Sequence, residues 1–355
     1  MSKKKAYILA FQKVTNYGAV LQIYALKTVL ERLGLVVETI NYVPRWMKVT
    51  IKNQPNIKSY FKRKIMNLTF RSFFKKLNLT SPYYEKESMR RKLQDAEFYF
   101  VGSDQVWNQK IIGDDLTYFL DFAPEESKKI GYAISMGNTK FSEDFKDKVI
   151  PYIRRFNFVS ARESFVSEYL KSIFPDLEVP VVLDPTLLLD AKDYKNISDK
   201  KNYKEPYIAV YAAMYDKNFF KLAFYLRRKL SLPLVNLGHH FSGADKHEYI
   251  WGPSHFLNRI SQASLVLTNS FHGTAFSILF KKNFITVPNK NVAYSNLNAR
   301  FIELTNKLNL SDRIASSIQE VNKLLTCNID YTHAYKLLQI EREKSLNFLK
   351  KVLCE

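Results

Sequence analysis

The chain has 355 residues, more than one ordinary core accommodates, so two domains of usual size are expected. Hydrophobic residues at 46% and aromatic residues at 14% describe a globular protein, and no apolar run reaches the roughly 18 residues that would span a bilayer. The formal charge of +20 admits nucleic acid, an anionic membrane surface or a phosphorylated substrate as partner.

Residues 6–11 follow a basic start without a small-residue cleavage site, so a first β-strand rather than a signal peptide is expected there. Residues 18–33 show a helical pattern with Val20, Leu21, Tyr24, Ala25, Val29 and Leu33 on one side. Residues 35–42 read as a second strand, which closes a βαβ unit. Between 45 and 92 there are fourteen cations against two acids, Glu85 and Glu87. Within that segment, residues 56–79 interleave Ile57, Tyr60, Phe61, Ile65, Leu68, Phe73 and Leu77 with Lys and Arg. Two readings stand for this basic amphipathic stretch: a helix lying on an anionic membrane, or a helical insertion packed by its apolar side. No nucleic-acid module is recognisable, and no nucleic-acid partner is expected.

Strands are expected at 97–102, 129–136, 157–161 and 181–183, each followed by polar or helical sequence. Residues 190–205 are polar and without apolar period. The pattern then restarts with strand 207–212, helix 218–230, strand 234–237, helix 254–263, strand 265–268, helix 274–280 and strand 284–287. Residues 331–353 form one long helical pattern. This gives a first α/β domain at 1–190 carrying the basic insertion at 45–92, a linker at 191–205, a second α/β domain at 206–325 and a C-terminal helix at 326–355 that packs back on the first domain. Short apolar strands alternating with helices call for parallel sheets covered on both faces.

Cys327 and Cys354 offer neither metal spacing nor a disulfide framework, so the cytoplasm is the expected home. His239, His240, His247 and His255 match no ligand spacing, so no metal site is expected, while a cleft-lining role for one of them stays open. Open α/β domains bind ligands at the carboxyl ends of their strands, which directs attention to the turns. The most informative is at 268–274, where a strand runs into Ser270, Phe271, His272 and Gly273 before a helix expected to begin at Thr274. The first amides of such a helix suit an anion, and a His beside them can move a proton near neutral pH. The alternative is a His that serves packing.

Several turns taken together resemble the polysaccharide pyruvyltransferase family. The residues are Asn16-Tyr17-Gly18-Ala19-Val20-Leu21-Gln22, Val101-Gly102-Ser103-Asp104-Gln105-Val106-Trp107-Asn108, Ala161-Arg162-Glu163-Ser164, Leu183-Asp184-Pro185-Thr186-Leu187-Leu188 and Ser270-Phe271-His272-Gly273. The resemblance implies two Rossmann-like domains of glycosyltransferase-B type with a cleft between them. It implies phosphoenolpyruvate as donor and a pyruvate ketal placed on two hydroxyls of a sugar. The acceptor would be a capsule, exopolysaccharide or cell-wall glycan precursor, often lipid-linked, met at the inner face of the plasma membrane.

That chemistry needs an acid for the methylene carbon, a base for a hydroxyl and donors for phosphate and carboxylate, and in principle neither a metal nor another cofactor. His272 is the candidate acid or phosphate ligand, with Ser270, Gly273 and Thr274 beside it. Arg162 is the candidate donor-binding cation, or else a salt-bridge partner of Glu163. Asp104 is the candidate base, or else the cap of a turn at Val106 and Trp107. Asn16 and Gly18 would shape the floor of the site, or Asn16 is a plain helix cap. Asp184 before Pro185 reads as a turn former. The cell-wall enzymes tend to read Ser-x-Arg-x-His at the last turn, and here Ser270 stands in the place of that Arg. Lys281, Lys282, Lys290 and Arg300 are the candidates to replace it. Two other functions compete: a nucleotide-sugar glycosyltransferase sharing the fold, and a non-catalytic membrane-associated component of polysaccharide assembly.

Overall fold

A computed structural model describes residues 4–12, 14–44, 57–137, 139–238, 241–248, 251–290 and 296–355, with the side chains of 57–60, 62, 63 and 296 excepted. The chain divides into two compact units. Unit 1 comprises residues 1–189 and 342–355, and unit 2 comprises 190–341.

Unit 1 is built on a parallel sheet of β1 (Lys5–Leu9), β2 (Val36–Thr39), β3 (Phe98–Val101), β4 (Lys128–Ile134) and β5 (Phe158–Ala161), in the order β2-β1-β3-β4-β5. Every residue of β3 is fully buried, as a strand covered on both faces must be. The helices are α1 (Tyr17–Arg32), α2 (Ile57–Phe74), α3 (Lys86–Lys92), α4 (Gln109–Ile112), α5 (Glu143–Ile153) and α6 (Ser164–Ile173). Helix α1 is buried along most of its length. Its Tyr17 stacks on Phe70 at 5.4 Å, and its Tyr24 meets Phe73 edge-on at 5.9 Å, so α2 packs on α1. Residues 181–183 do not form the expected strand. They make one bridge, Ala161 to Val181, because Pro180 and Pro185 bracket a segment too short for a ladder.

Unit 2 is built on β6 (Ile208–Tyr211), β7 (Leu234–Asn236), β8 (Lys246–His247), β9 (Leu265–Thr268) and β10 (Phe284–Thr286), all parallel in the order β10-β9-β6-β7-β8. Its helices are α7 (Ala191–Ile197), α8 (Lys217–Leu230), α9 (Pro253–Gln262), α10 (Phe271–Leu279), α11 (Ala299–Lys307) and α12 (Ile318–Thr326). The stretch expected as a linker at 191–205 instead opens with α7. A reciprocal capping box between Asp190 and Asp193 starts this helix, and buried Tyr194 meets Phe276 edge-on at 4.9 Å. The basic insertion expected at 45–92 is described only from residue 57, and His239 and His240 also lie outside the described residues.

The last helix, α13 (Tyr331–Cys354), belongs to both units. Tyr335 donates to the Leu279 carbonyl at 2.6 Å in unit 2. Farther along, Arg342 donates to the Leu187 and Leu189 carbonyls at 2.6 and 2.7 Å, and Ser345 Oγ accepts from the Leu183 amide at 2.9 Å. Among the described residues no helix is long and apolar enough to cross a membrane. Arg342→Ala strands two buried carbonyls, so the unfolding midpoint in urea should fall by an amount equivalent to about 2–4 kcal/mol.

Candidate functional site

Each unit has a topological switch point, where strands on the two sides of one position run off in opposite directions through the sequence. In unit 1 it lies between β1 and β3, and in unit 2 between β6 and β9. The sequence-marked turns collect at the carboxyl ends of these strands.

In unit 1, Asn16 caps α1, its Oδ1 accepting from the Ala19 amide at 3.2 Å. Gly18 lies buried in the first turn. Gln22, one turn farther on, accepts from the Ser103 amide at 2.8 Å and so ties α1 to the turn after β3. Gly102 opens that turn at φ +111°, and a side chain there would collide with the Tyr132 carbonyl of β4. Ser103 donates to the Ala133 carbonyl at 2.8 Å, where β4 breaks register. Trp107 is core: its Nε1 donates to the Tyr118 carbonyl at 2.9 Å and its ring stacks on Phe119 at 5.1 Å.

Arg162, directly after β5, stands in a cage of carboxylates. Its Nε meets Glu163 at 2.8 Å, Nη1 meets Asp184 at 2.8 Å and Nη2 meets Asp104 at 3.5 Å. The Arg162 side chain is only 2% exposed. Burial works against its charge, but Glu163, Asp184 and Asp104 outweigh that and hold the guanidinium above its ordinary value. The salt-bridge alternative therefore describes the observed arrangement, extended to three partners. Asp104 does not cap the turn with its side chain. Its backbone carbonyl accepts from Val106 at 2.8 Å, while its carboxylate turns to Arg162. Asp184 is a turn former through Oδ1, which accepts from the Thr186 amide and hydroxyl at 2.9 and 2.7 Å, and a partner of Arg162 through Oδ2.

In unit 2, helix α10 begins at Phe271, three residues earlier than expected, because Ser270 is its N-cap. His272 and Gly273 thus belong to the first helical turn, and His272 is 6% exposed. Gly273 permits the helix to press against β9, since a Cβ there would lie 2.8 Å from Thr268 Cβ and closer still to its hydroxyl. Thr274 Oγ1 donates to the Ser270 carbonyl at 3.1 Å and meets Thr286 Oγ1 at 2.8 Å. Asn269 bridges the switch point, accepting from the Ala213 amide at 2.7 Å and donating to the Met214 carbonyl at 3.0 Å. Asp216 caps α8 at Phe219 and accepts from the Lys290 amide at 2.9 Å, so the loops after β6 and β10 are joined too. Of the four cations expected to replace an Arg at Ser270, Lys290 follows β10 on this same edge. Lys281 and Lys282 lie past the opposite end of α10, where Lys281 Nζ sits 4.4 Å from the Tyr335 ring centroid. Arg300 lies in the first turn of α11, where its Nε donates to the Leu297 carbonyl at 3.3 Å.

Two other described histidines, His255 and His247, have partners away from this turn. His255 lies 2.9 Å from Asp199 and 2.7 Å from Glu248, and Glu248 also grips Arg259. His247 Nδ1 lies 3.4 Å from the Asn236 amide.

A family model described as polysaccharide pyruvyl transferase matches residues 16–291, a span that holds every turn described above. The chain belongs to this family. A polysaccharide pyruvyl transferase is an enzyme that moves a pyruvyl group onto a glycan, and the chain is accordingly a transferase. No curated protein matches it. Among solved structures it is similar to S. aureus MnaA with UDP, at 14% identity over 99% of this chain and 97% of that one, with a TM-score of 0.54. A UDP-GlcNAc 2-epimerase from Methanocaldococcus jannaschii in complex with UDP-GlcNAc and UDP is 13% identical over 95% and 99% of the two chains, with a TM-score of 0.52. The spinosyn rhamnosyltransferase SpnG is 11% identical over 99% and 100%, with a TM-score of 0.51. The fold shared with these glycosyltransferase-B and epimerase structures is a pair of Rossmann-like domains.

Removing the cation from the carboxylate cage should be severe. Arg162→Met is expected to destabilise by about 3–5 kcal/mol, measured by chemical denaturation at neutral pH. A pH effect belongs to Glu248. Burial raises this carboxyl, but His255 and Arg259 bring it down to about 2 from its usual 4.5. Its folded value lies below its unfolded one, so its contribution is present above pH 4.5 and lost as the pH falls toward 2. Glu248→Gln should flatten that part of the thermal-stability profile.

Proposed function

We propose that this pyruvyltransferase takes the pyruvyl group from phosphoenolpyruvate and places it as a ketal on two hydroxyls of one sugar. The sugar belongs to a capsule, exopolysaccharide or cell-wall precursor and is carried on a lipid at the cytoplasmic face of the plasma membrane. The observation that carries this reading is the family match over residues 16–291.

The reaction begins with proton transfer to the methylene carbon, which becomes a methyl group and leaves C2 electron-deficient. One sugar hydroxyl adds to C2 and loses its proton. The C2–O bond to phosphate then breaks, and the second hydroxyl closes the ketal and gives up its proton to the departing phosphate. His272 is the group we assign to proton transfer, supported by its place in the first turn of α10 at the switch point of unit 2. Ser270, Gly273 and Thr274 form the corner we assign to the donor's anionic groups, because a helix N-terminus favours negative charge. Lys290, on the same edge, is the cation best placed to replace the Arg absent at Ser270.

Asp104 is the base we assign to the acceptor hydroxyl. Arg162 enters as a positioning residue, since its three nitrogens are occupied by carboxylates that include Asp104. Asn16 and Gly18 shape the neighbouring turn, with the Asn16 carboxamide engaged in capping.

Incubation with phosphoenolpyruvate and lipid-linked glycan acceptors should release phosphate and create one new methyl signal per ketal, carrying one deuteron when the reaction runs in heavy water. His272→Ala and Asp104→Asn should each lower kcat by about 10²–10⁴-fold. Consumption of a UDP- or GDP-sugar in place of phosphoenolpyruvate would overturn the donor assignment.

A further inference from the structure

Helix α2 is apolar on two opposite faces. Met66, Phe70 and Phe73 are buried against α1. Phe61, Ile65 and Leu68, spaced i, i+4 and i+7, are 58%, 48% and 64% exposed. At about 100° per residue these three fall on one stripe, facing away from the buried side. Lys64 and Arg71 flank the stripe and are exposed, as are Lys75 and Lys76 in the turn that continues the helix. No acidic residue occurs from 45 to 84.

We infer that this outer face of α2 docks the enzyme on an anionic lipid bilayer, with Phe61, Ile65 and Leu68 entering the headgroup boundary and the flanking cations meeting lipid phosphates. An apolar stripe edged by Lys and Arg on a helix lying in the interface plane is the arrangement such a surface binds. Charge decides against a second copy of this chain as the occupant. A two-fold contact through the stripe would bring the Lys and Arg of one copy beside those of the other, with no acid on the helix to offset them. The inference deepens the lipid-linked acceptor reading, because it names the surface by which the enzyme reaches such a substrate.

The test is co-sedimentation of the full chain with phosphatidylglycerol-containing vesicles and with pure phosphatidylcholine vesicles, in low and high salt and without donor or acceptor. The wild-type protein should bind the anionic vesicles, release in high salt and leave the neutral ones largely unbound. Phe61→Ser, Ile65→Ser and Leu68→Ser combined should weaken binding ~30-fold or more, with thermal unfolding unchanged. Lys64→Glu with Lys75→Glu, which leaves the stripe intact, should weaken it ~10-fold or more. Absence of wild-type binding, equal binding by either variant, or a wild-type dimer that the triple variant splits while vesicle binding stays the same would each overturn the inference. Because no substrate is present, a negative result leaves pyruvyl transfer standing, and failure of phosphoenolpyruvate turnover leaves the docking result standing.

Discussion

The guanidinium of Arg162 is the constraint on which the carboxyl edge of unit 1 depends. Glu163 follows β5, Asp104 lies in the turn after β3, and Asp184 opens the turn Pro185–Leu187 that packs on α1. A buried charge is tolerable only when paired, so these three turns cannot shift independently without leaving one ion uncompensated. Gln22 extends the constraint to α1 by holding the Ser103 amide. A carboxylate fixed in this way can present its remaining oxygen to a substrate without first being ordered, which is what a base positioned for catalysis requires.

Unit 2 secures its own switch point through Asn269 and joins the loops after β6 and β10 through Asp216. Asn269 joins the turns after β9 and β6 through two amide hydrogen bonds, and Gly273 lets α10 approach Thr268. Asp216, an acid of this edge, is engaged by the amides of Phe219 and Lys290. The contrast with unit 1 has a chemical consequence. At the start of α10 itself the bracing groups are the Asn269 carboxamide and the Ser270 and Thr274 hydroxyls, which leave the positive end of the helix dipole available to an anion, whereas the carboxylates of unit 1 disfavour one. We assign hydroxyl activation to the carboxylate edge of unit 1 and the anionic donor to the helix N-terminus of unit 2, in keeping with how each unit is braced.

The strands were legible because parallel strands buried on both faces are short apolar runs, as in Phe98–Val101 and Leu265–Thr268. The beginning of α10 was not, because His and Gly are poor helix formers. Gly273 is there for its close approach to Thr268, a tertiary demand that propensity cannot express. Helix α7 was hidden for a similar reason: its composition is polar, and its stability rests on a capping box and on one aromatic contact from Tyr194. The candidate residues were found by type and position, but their partners were not. Asp104 and Asp184 lie 58 and 22 residues from Arg162, and only the order of strands in the sheet brings them together. Gln22 stands in the first motif, but a buried amide within an apolar helical run carries no local signal of its distant partner, the Ser103 amide.

The charge of +20 takes on a more specific meaning in this light. Its densest segment does not include the corner of unit 2 that we assign to an anionic donor, but contains a helix of unit 1. That helix packs on α1 through Phe70 on Tyr17 and Phe73 on Tyr24, and Tyr17 is next to the cap residue Asn16 at the switch point. One helix is about 10–12 Å across, so a bilayer touching the outer face of α2 would lie roughly one helix diameter from the buried face that holds Tyr17. The apolar residues on its two faces are thus distinct: Phe70 and Phe73 pack on α1, and Phe61, Ile65 and Leu68 are the face we assign to the bilayer.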